Sequence, residues 1–389
     1  IDGSSLKAIA PRIVMHLSYV FPKKAEGILA SIFSIYFCPP SKPIFTNILV
    51  FRFLKRDAQP EVKNSAKKVR LIPFEFSTTQ TYILEFGDQY MRVYKDKGQV
   101  LSSGSPFEIS TPYLEAELFD IKFAQSADTM YIVHPNHDVR KLTRTGHTSW
   151  TLSTVSFTGA PSPGISGAND RPSCVSFFEQ RLVFANTNNN PQTLWFSKAG
   201  DYENFTTGTN ADDAMIYTIA SNQVNAIQYL KAVRTLIVGT SGGEFTVSAD
   251  GTDASITPTN VTIKRQSSFG SAGVDAIPAG NAILFLQKAK RKIRELAYNF
   301  DSDGYVAPDL TILNESVTAS GINQMAYQQE PDSIIWCVRD DGVLAGLTYQ
   351  RAENVTAWHR HIFGGAFGSG NAVCESAASI SGTLTEDEL

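Results

Sequence analysis

Residues 235–250, TLIVGTSGGEFTVSAD, are the key to the chain. Leu236, Ile237 and Val238 make an apolar run, Gly239, Gly242 and Gly243 a glycine-rich turn, and Phe245 and Val247 an alternating second run that ends at Asp250-Gly251. Apolar strand, tight turn, strand and exit turn spell a β-hairpin. The same grammar recurs in residues 82–98 (YILEFGDQYMRVYKDKG), 130–143 (MYIVHPNHDVRKLT), 181–197 (RLVFANTNNNPQTLWFS), 282–298 (AILFLQKAKRKIRELAY) and 333–349 (SIIWCVRDDGVLAGLTY). The first strands begin near Tyr82, Tyr131, Leu182, Leu236, Ile283 and Ile335, spaced by 49, 51, 54, 47 and 52 residues.

A period near fifty residues with paired strands in each unit predicts an all-β chain, a β-propeller of about six blades of roughly 50 residues with loop insertions. The physical reason is burial: one twisted sheet cannot cover both of its faces, whereas a ring of sheets lets each cover the next. Two further strands per blade are expected in the spacers, for example in residues 224–229 (VNAIQY) and 321–327 (GINQMAY). Residues 69–76 place Val69, Leu71, Pro73 and Glu75 on one parity and Ile72, Phe74 and Phe76 on the other, the pattern of a strand covered on both faces. A short helix is expected within 106–120, a loop at 159–171 (GAPSPGISGANDR), a polar excursion at 200–225, a Thr/Ser-rich stretch at 252–273 with a strand at Val261–Ile263, and a loop at 299–308.

With 11% aromatic and 19% charged residues, the 389-residue chain has the material for a substantial core, and general disorder is excluded. A net charge of −4 lacks the basic footprint of a nucleic-acid-binding domain. Cys38, Cys174, Cys337 and Cys374 lie far apart without a CxxC spacing, which points to a reducing compartment and no disulfide framework.

Residues 1–60 differ from the rest. Eight Lys and Arg face only Asp2 and Glu26 in residues 1–56, a net +6 that leaves −10 for the remainder. The apolar run at 28–38 stops at Pro39-Pro40, too short for a membrane span of about twenty residues. This atypical N-terminal segment reads as a docking arm or as an artefact of the translated sequence. Residues 61–389 read as the propeller body, and the end at TLTEDEL, in what reads as mid-unit, predicts a C-terminal truncation.

Four constellations invite a chemical reading. The run 239–243 matches G-x-S-x-G, but a nucleophile elbow needs a helix after the turn, and EFTVS is a strand. Asn299-x-Asp301-x-Asp303-Gly304 opens like a calcium loop, yet Leu310 stands where the bidentate Glu belongs, so an Asx-type turn is expected. His134 and His137 bracket a turn, and His359 and His361 share a strand face. Either pair suits a metal, but no third ligand is assigned by spacing, and an inter-blade hydrogen bond is the simpler expectation. Lys288, Lys290, Arg291, Lys292 and Arg294 form a basic turn that suits DNA or subunit contact. No catalytic residue, metal ligand or cofactor-binding residue is assigned.

Residues 61–100, 171–205 and 233–247 together resemble the tail tubular protein B, or tail nozzle, family of short-tailed bacteriophages and prophages. The specific features are Arg181, Leu182, Phe184 and Ala185, the following LWFSKAGDYENF (194–205), and Gly239, Thr240, Gly242, Gly243, Glu244 and Phe245. The resemblance covers about residues 61–385. It implies a non-enzymatic virion protein made in the bacterial host cytoplasm, without cofactors. It further implies a hexameric nozzle beneath an adaptor ring, contacts with tail fibres, and transient passage of genomic DNA. The chain departs from the family at both ends, lacking a GGELSP-like and an RRPGT-like run before Glu61. The alternative is a soluble propeller that serves as a binding or scaffold module in a cell, with a propeller hydrolase as a third class.

Overall fold

The computed structural model describes residues 62–389, apart from 221–222, 252–253, 364–365, 368–369 and 383–385. The expectations for residues 1–60 and for Cys38 lie outside the described residues.

Six antiparallel sheets follow one another along the chain, each an up-and-down meander in sequence order. Blade 1 is Arg70–Ser77, Gln80–Gly87, Tyr90–Lys95 and Gly98–Gln99, with Glu108–Ser110 also paired to its third strand. Blade 2 is Lys122–Ser126, Thr129–His134, His137–Gly146 and Ser149–Thr154, and blade 3 is Cys174–Phe178, Arg181–Ala185, Thr193–Phe196 and Met215–Thr218. Blade 4 is Ile227–Ala232, Leu236–Thr240, Gly243–Ser248 and Thr262–Ser267. Blade 5 is Ile277–Ala279, Ala282–Leu286, Ile293–Asn299 and Gly304–Val306, and blade 6 is Ile322–Gln328, Ile334–Arg339, Leu344–Gln350 and Val355–His361. All six predicted hairpins are the second and third strands of a blade. The architecture is a six-bladed β-propeller.

The ring is visible in the core. Successive apolar clusters join blades 1 and 2 (around Phe74, Phe86 and Trp150), 2 and 3 (Tyr131, Phe184, Trp195), 3 and 4 (Phe196, Leu230, Val238), 4 and 5 (Tyr229, Phe285) and 5 and 6 (Leu284, Ile335, Leu347). Four of the six second strands, those of blades 3 to 6, are accordingly buried along their whole length, as in Leu236–Thr240 and Ile334–Arg339. Burial of both faces is what turned these strands into near-continuous apolar runs. Blade 6 meets blade 1 differently. Residues 374–381 pack on Trp336 and Val338 through Ala377 and Cys374, and Gln324 of blade 6 donates to the Leu71 carbonyl of blade 1 at 3.3 Å.

First strands are innermost: that of blade 3 contacts those of blades 2 and 4. Lys122 of blade 2 hydrogen-bonds the Gln228 carbonyl of blade 4, and its Nζ lies 3.6 Å from Cys174 Sγ of blade 3. Lys122 thus ties the first strands of three successive blades together.

Two expectations are corrected. The helix sought within 106–120 is a single 3-10 segment, Glu115–Asp120. It cannot extend, because the Arg70 guanidinium takes the carbonyls of Leu118 and Ile121 at 2.8 and 2.6 Å and Ile121 leads into blade 2. The excursion 200–225 and the loop 299–308 each hold the outermost strand of a blade, Met215–Thr218 and Gly304–Val306. Among the described residues no helix is long and apolar enough to cross a membrane.

Candidate functional site

The structure supplies the third group that spacing left open beside His134 and His137. The 3-10 segment between blades 1 and 2 carries Glu117 against the 134–137 hairpin turn, and one ligand-type atom of each of Glu117, His134 and His137 lies within 4.8 Å of the others. His137 Nε2 donates to Glu117 Oε2 at 2.8 Å, Asn136 Nδ2 donates to Oε1 at 3.2 Å, and the Leu114 N–H donates to Oε2 at 3.0 Å. Burial works to raise the Glu117 carboxyl, but the Leu114, His137 and Asn136 hydrogen bonds outweigh it and hold it down at about 2.

His134 is buried, and desolvation lowers its imidazole further below the ordinary value. Its Nδ1 accepts the Asn136 N–H at 3.0 Å, so in the neutral ring the proton sits on Nε2, which has no hydrogen-bond partner. A metal needs a bare ring nitrogen. Here one nitrogen is occupied by a backbone donor and the other carries the proton, so the cluster as arranged is a hydrogen-bonded node pinning the turn of blade 2 to the inter-blade segment. The spacing Leu114 to Glu117 is that of a capping Glu three residues into a helix, and is the signal that foretells the meeting.

His359 and His361 do share a strand face. Their Nδ1 and Nε2 lie 2.7 Å apart, so one ring donates to the other, and both rings pack against Trp336. Burial, with the neighbouring His361, pushes the His359 imidazole down to about 4.

The basic turn is the second-to-third strand connection of blade 5. Lys292 pairs with Asp309 and Glu315 at 2.9 and 3.0 Å, while Arg294 stacks 3.5 Å over Phe269 and donates to Gln287 and Ala307. Lys290 reaches Asn323 Oδ1 at 3.3 Å. Lys288 and Arg291 are exposed. Of its five cations, then, Lys292 and Arg294 are held internally, Lys290 is hydrogen-bonded to blade 6, and Lys288 and Arg291 are exposed.

The G-x-S-x-G run closes a hairpin, as expected. A Cβ at Gly239 would sit 2.1 Å from the Tyr229 ring and one at Gly243 2.5 Å from the Ser267 carbonyl, so the glycines serve close strand packing. The Asn299 loop is a side-chain-closed turn, with Ser302 N–H donating to Asn299 Oδ1 at 3.1 Å.

A region that no motif foretold is an open cleft of about 440 Å³ where the first-strand ends of blades 2, 3 and 4 converge. Phe177, Phe178 and Tyr202 form its aromatic wall, with Glu179, Gln180 and Arg234 among its polar groups. Tyr202 meets Phe177 edge to face at 5.0 Å. Glu179 Oε2 accepts the Ile256 N–H at 2.7 Å. Glu179 and Gln180 take φ of +44° and +59°, a tight turn built without the glycine or asparagine that such angles favour. Three blades contribute to the cleft, which is why no local sequence window displays it.

No protein-family model matches the chain, and no curated protein matches it. Solved structures do. They include "YCF48 bound to D1 peptide" (12% identity, 76% of this chain and 81% of that one, TM-score 0.43) and the Cps50 (Swd1) β-propeller domain of Myceliophteria thermophila (10% identity, 75% and 85%, TM-score 0.43). The Pan2 WD40 domain of Neurospora crassa is a third (8% identity, 81% and 82%, TM-score 0.44). These are likenesses of fold and carry no function across.

Proposed function

We infer that the chain is a non-enzymatic structural subunit of the tail nozzle of a short-tailed phage, assembling as a hexamer beneath an adaptor ring. The observation that carries this reading is where the resembling residues sit. Arg181, Leu182, Phe184 and Ala185 are the second strand of blade 3, and Arg181, 1% exposed, donates to the carbonyls of Ser197, Ala211 and Asp213 at 2.6–2.7 Å. Gly239 to Phe245 form the matching hairpin of blade 4, where fully buried Glu244 accepts from Ser267 and Ser271. The shared residues thus build the buried frame of two adjacent blades, which suits a stiff tube wall better than a reaction centre.

Under this reading the conduit is enclosed by the ring of subunits. The acidic balance of the propeller body suits a passage that does not grip phosphates. The test is electron microscopy of the full chain mixed with adaptor rings of short-tailed phages. The reading expects six-fold rings stacked on the adaptor. Particles that remain single propellers beside intact adaptor rings would contradict it.

A further inference from the structure

We propose that the cleft at the convergence of blades 2, 3 and 4 is a binding site for a neutral sugar unit of a glycan. The cleft combines the two elements that pyranose rings require. Aromatic side chains, Phe177 and Tyr202 foremost, offer apolar surface for the C–H face of a sugar. Planar polar groups surround them: the Gln180 amide, the Glu179 carboxylate and the Arg234 guanidinium, able to make paired hydrogen bonds to vicinal hydroxyls.

Several of these groups are uncommitted. The Tyr202 hydroxyl and the Gln180 side-chain amide find no hydrogen-bond partner among the described residues, and Glu179 uses only Oε2, on Ile256. Glu179 and Gln180 are the two central residues of the hairpin turn between the first and second strands of blade 3, which fixes both at the rim of the cleft.

Ligand charge follows from the lining. The lining holds one carboxylate, Glu179, and one guanidinium, Arg234, a balance that favours a neutral ligand over an acidic or a basic one. Ligand shape follows from the setting. The cleft is lined by turns and by the last one or two residues of each first strand, Gln125 and Ser126, Phe177 and Phe178, and Ala232, too short an edge for an extended peptide to join, which disfavours β-augmentation. Its volume of about 440 Å³ lies within the range of small-molecule sites, roughly 300–1,000 Å³. This site is independent of the nozzle reading, because it needs only a folded propeller.

The experiment is saturation-transfer NMR followed by calorimetric titration of the full chain with glucose, galactose, mannose, N-acetylglucosamine, maltose and lactose, with glucuronic acid and a lysine-rich peptide as contrasts. At least one neutral sugar is expected to bind saturably with a millimolar or tighter Kd, and glucuronic acid and the peptide more weakly. Tyr202→Ala is expected to weaken binding roughly tenfold or more, equivalent to about 1.4 kcal/mol. Because Tyr202 also packs on Phe177, Tyr202→Phe and Gln180→Ala, which leave the packing intact, should each weaken it several-fold while the unfolding midpoint stays unchanged. Binding of no neutral sugar, preferred binding of the peptide, or sugar binding indifferent to all three substitutions would overturn the assignment.

Discussion

Five of the six blade interfaces are apolar, and the sixth is not. Between blades 2 and 3 the contact is made by Tyr131, Phe184, Trp195 and Phe205, all buried and meeting ring to ring or ring to methyl. Between blades 6 and 1 the direct contacts are polar. Gln324 Nε2 donates to the carbonyls of Leu71 and Ala377, its Oε1 accepts from Ser376 Oγ at 2.6 Å, and Ser376 Oγ accepts the Leu71 N–H at 2.9 Å. Further along the seam Ser381 N–H donates to Glu75 Oε1 at 3.1 Å, and Thr81 donates to the Ser381 carbonyl at 3.0 Å. Apolar burial is non-directional and scales with area, whereas each buried hydrogen bond contributes only about 1 kcal/mol net and depends on geometry. Five interfaces hold the ring by surface area, and the seam closes it by register.

The contrast is sharpest for the apolar side. Trp195→Ala should cost about 4 kcal/mol, since it empties a large site between blades 2 and 3 and leaves the Pro163 carbonyl without its indole donor. Urea unfolding would measure it, and a cost below about 1 kcal/mol would mean that the interface is not the source of stability assigned to it. Arg181→Ala comes next, at about 3 kcal/mol, because it strips a buried donor from four carbonyls of blade 3, those of Ser197, Ala211, Asp212 and Asp213.

At the seam, Gln324→Ala should cost about 2 kcal/mol and should act locally. Hydrogen exchange is expected to accelerate at Leu71 and at residues 376–381, while amides of blades 2 to 5 keep their protection. Uniform acceleration throughout the ring would mean that the seam and the apolar interfaces open as one unit.

A pH titration probes the buried imidazoles, His359 of blade 6 and His134 of blade 2 among them. The His359 imidazole is lowered in the fold to about 4, so below its ordinary value near 6.5 the unfolded chain binds more protons than the native one. Stability is therefore present above about 6.5 and lost as pH falls towards 4. In His359→Gln the dependence of the urea midpoint on pH should be flatter in this window. An unaltered profile would remove His359 from the acid response. Glu117, held at about 2, has the same sign for a different reason: its stabilisation as a carboxylate is present above the ordinary carboxylate value near 4.5 and fades only as pH falls towards 2. The smallest effects belong to the cleft, where Gln180→Ala should change stability by less than about 0.5 kcal/mol, as for exposed positions without structural partners.

Much of this was legible in the sequence, and the reason is local. Second and third strands of each blade are neighbours in the chain, buried on both faces, and joined by tight turns, so Leu236–Thr240 and Ile334–Arg339 announce themselves. Outer strands such as Gly304–Val306 are short, half-exposed and polar, and resemble loops. The seam was illegible for another reason: Leu71 meets Gln324 across 253 positions and Ser376 across 305, beyond any local pattern. The alternation at 71–76 did carry a trace of it, since Ile72 and Phe74 turn to blade 2 while Leu71 and Glu75 take up the seam's hydrogen bonds. The histidine node was half legible, through the hairpin that brackets His134 and His137, and its Glu117 was lost because a short 3-10 segment replaces the expected helix. The cleft, assembled from three blades, left no trace in any one window.

The proposed nozzle role makes this propeller one subunit of a ring. Light scattering of the full chain, alone and with adaptor rings, measures it most directly. The account predicts six times the subunit mass, either free or once the adaptor is present. A well-folded monomer whose mass is unchanged by every adaptor ring would contradict it.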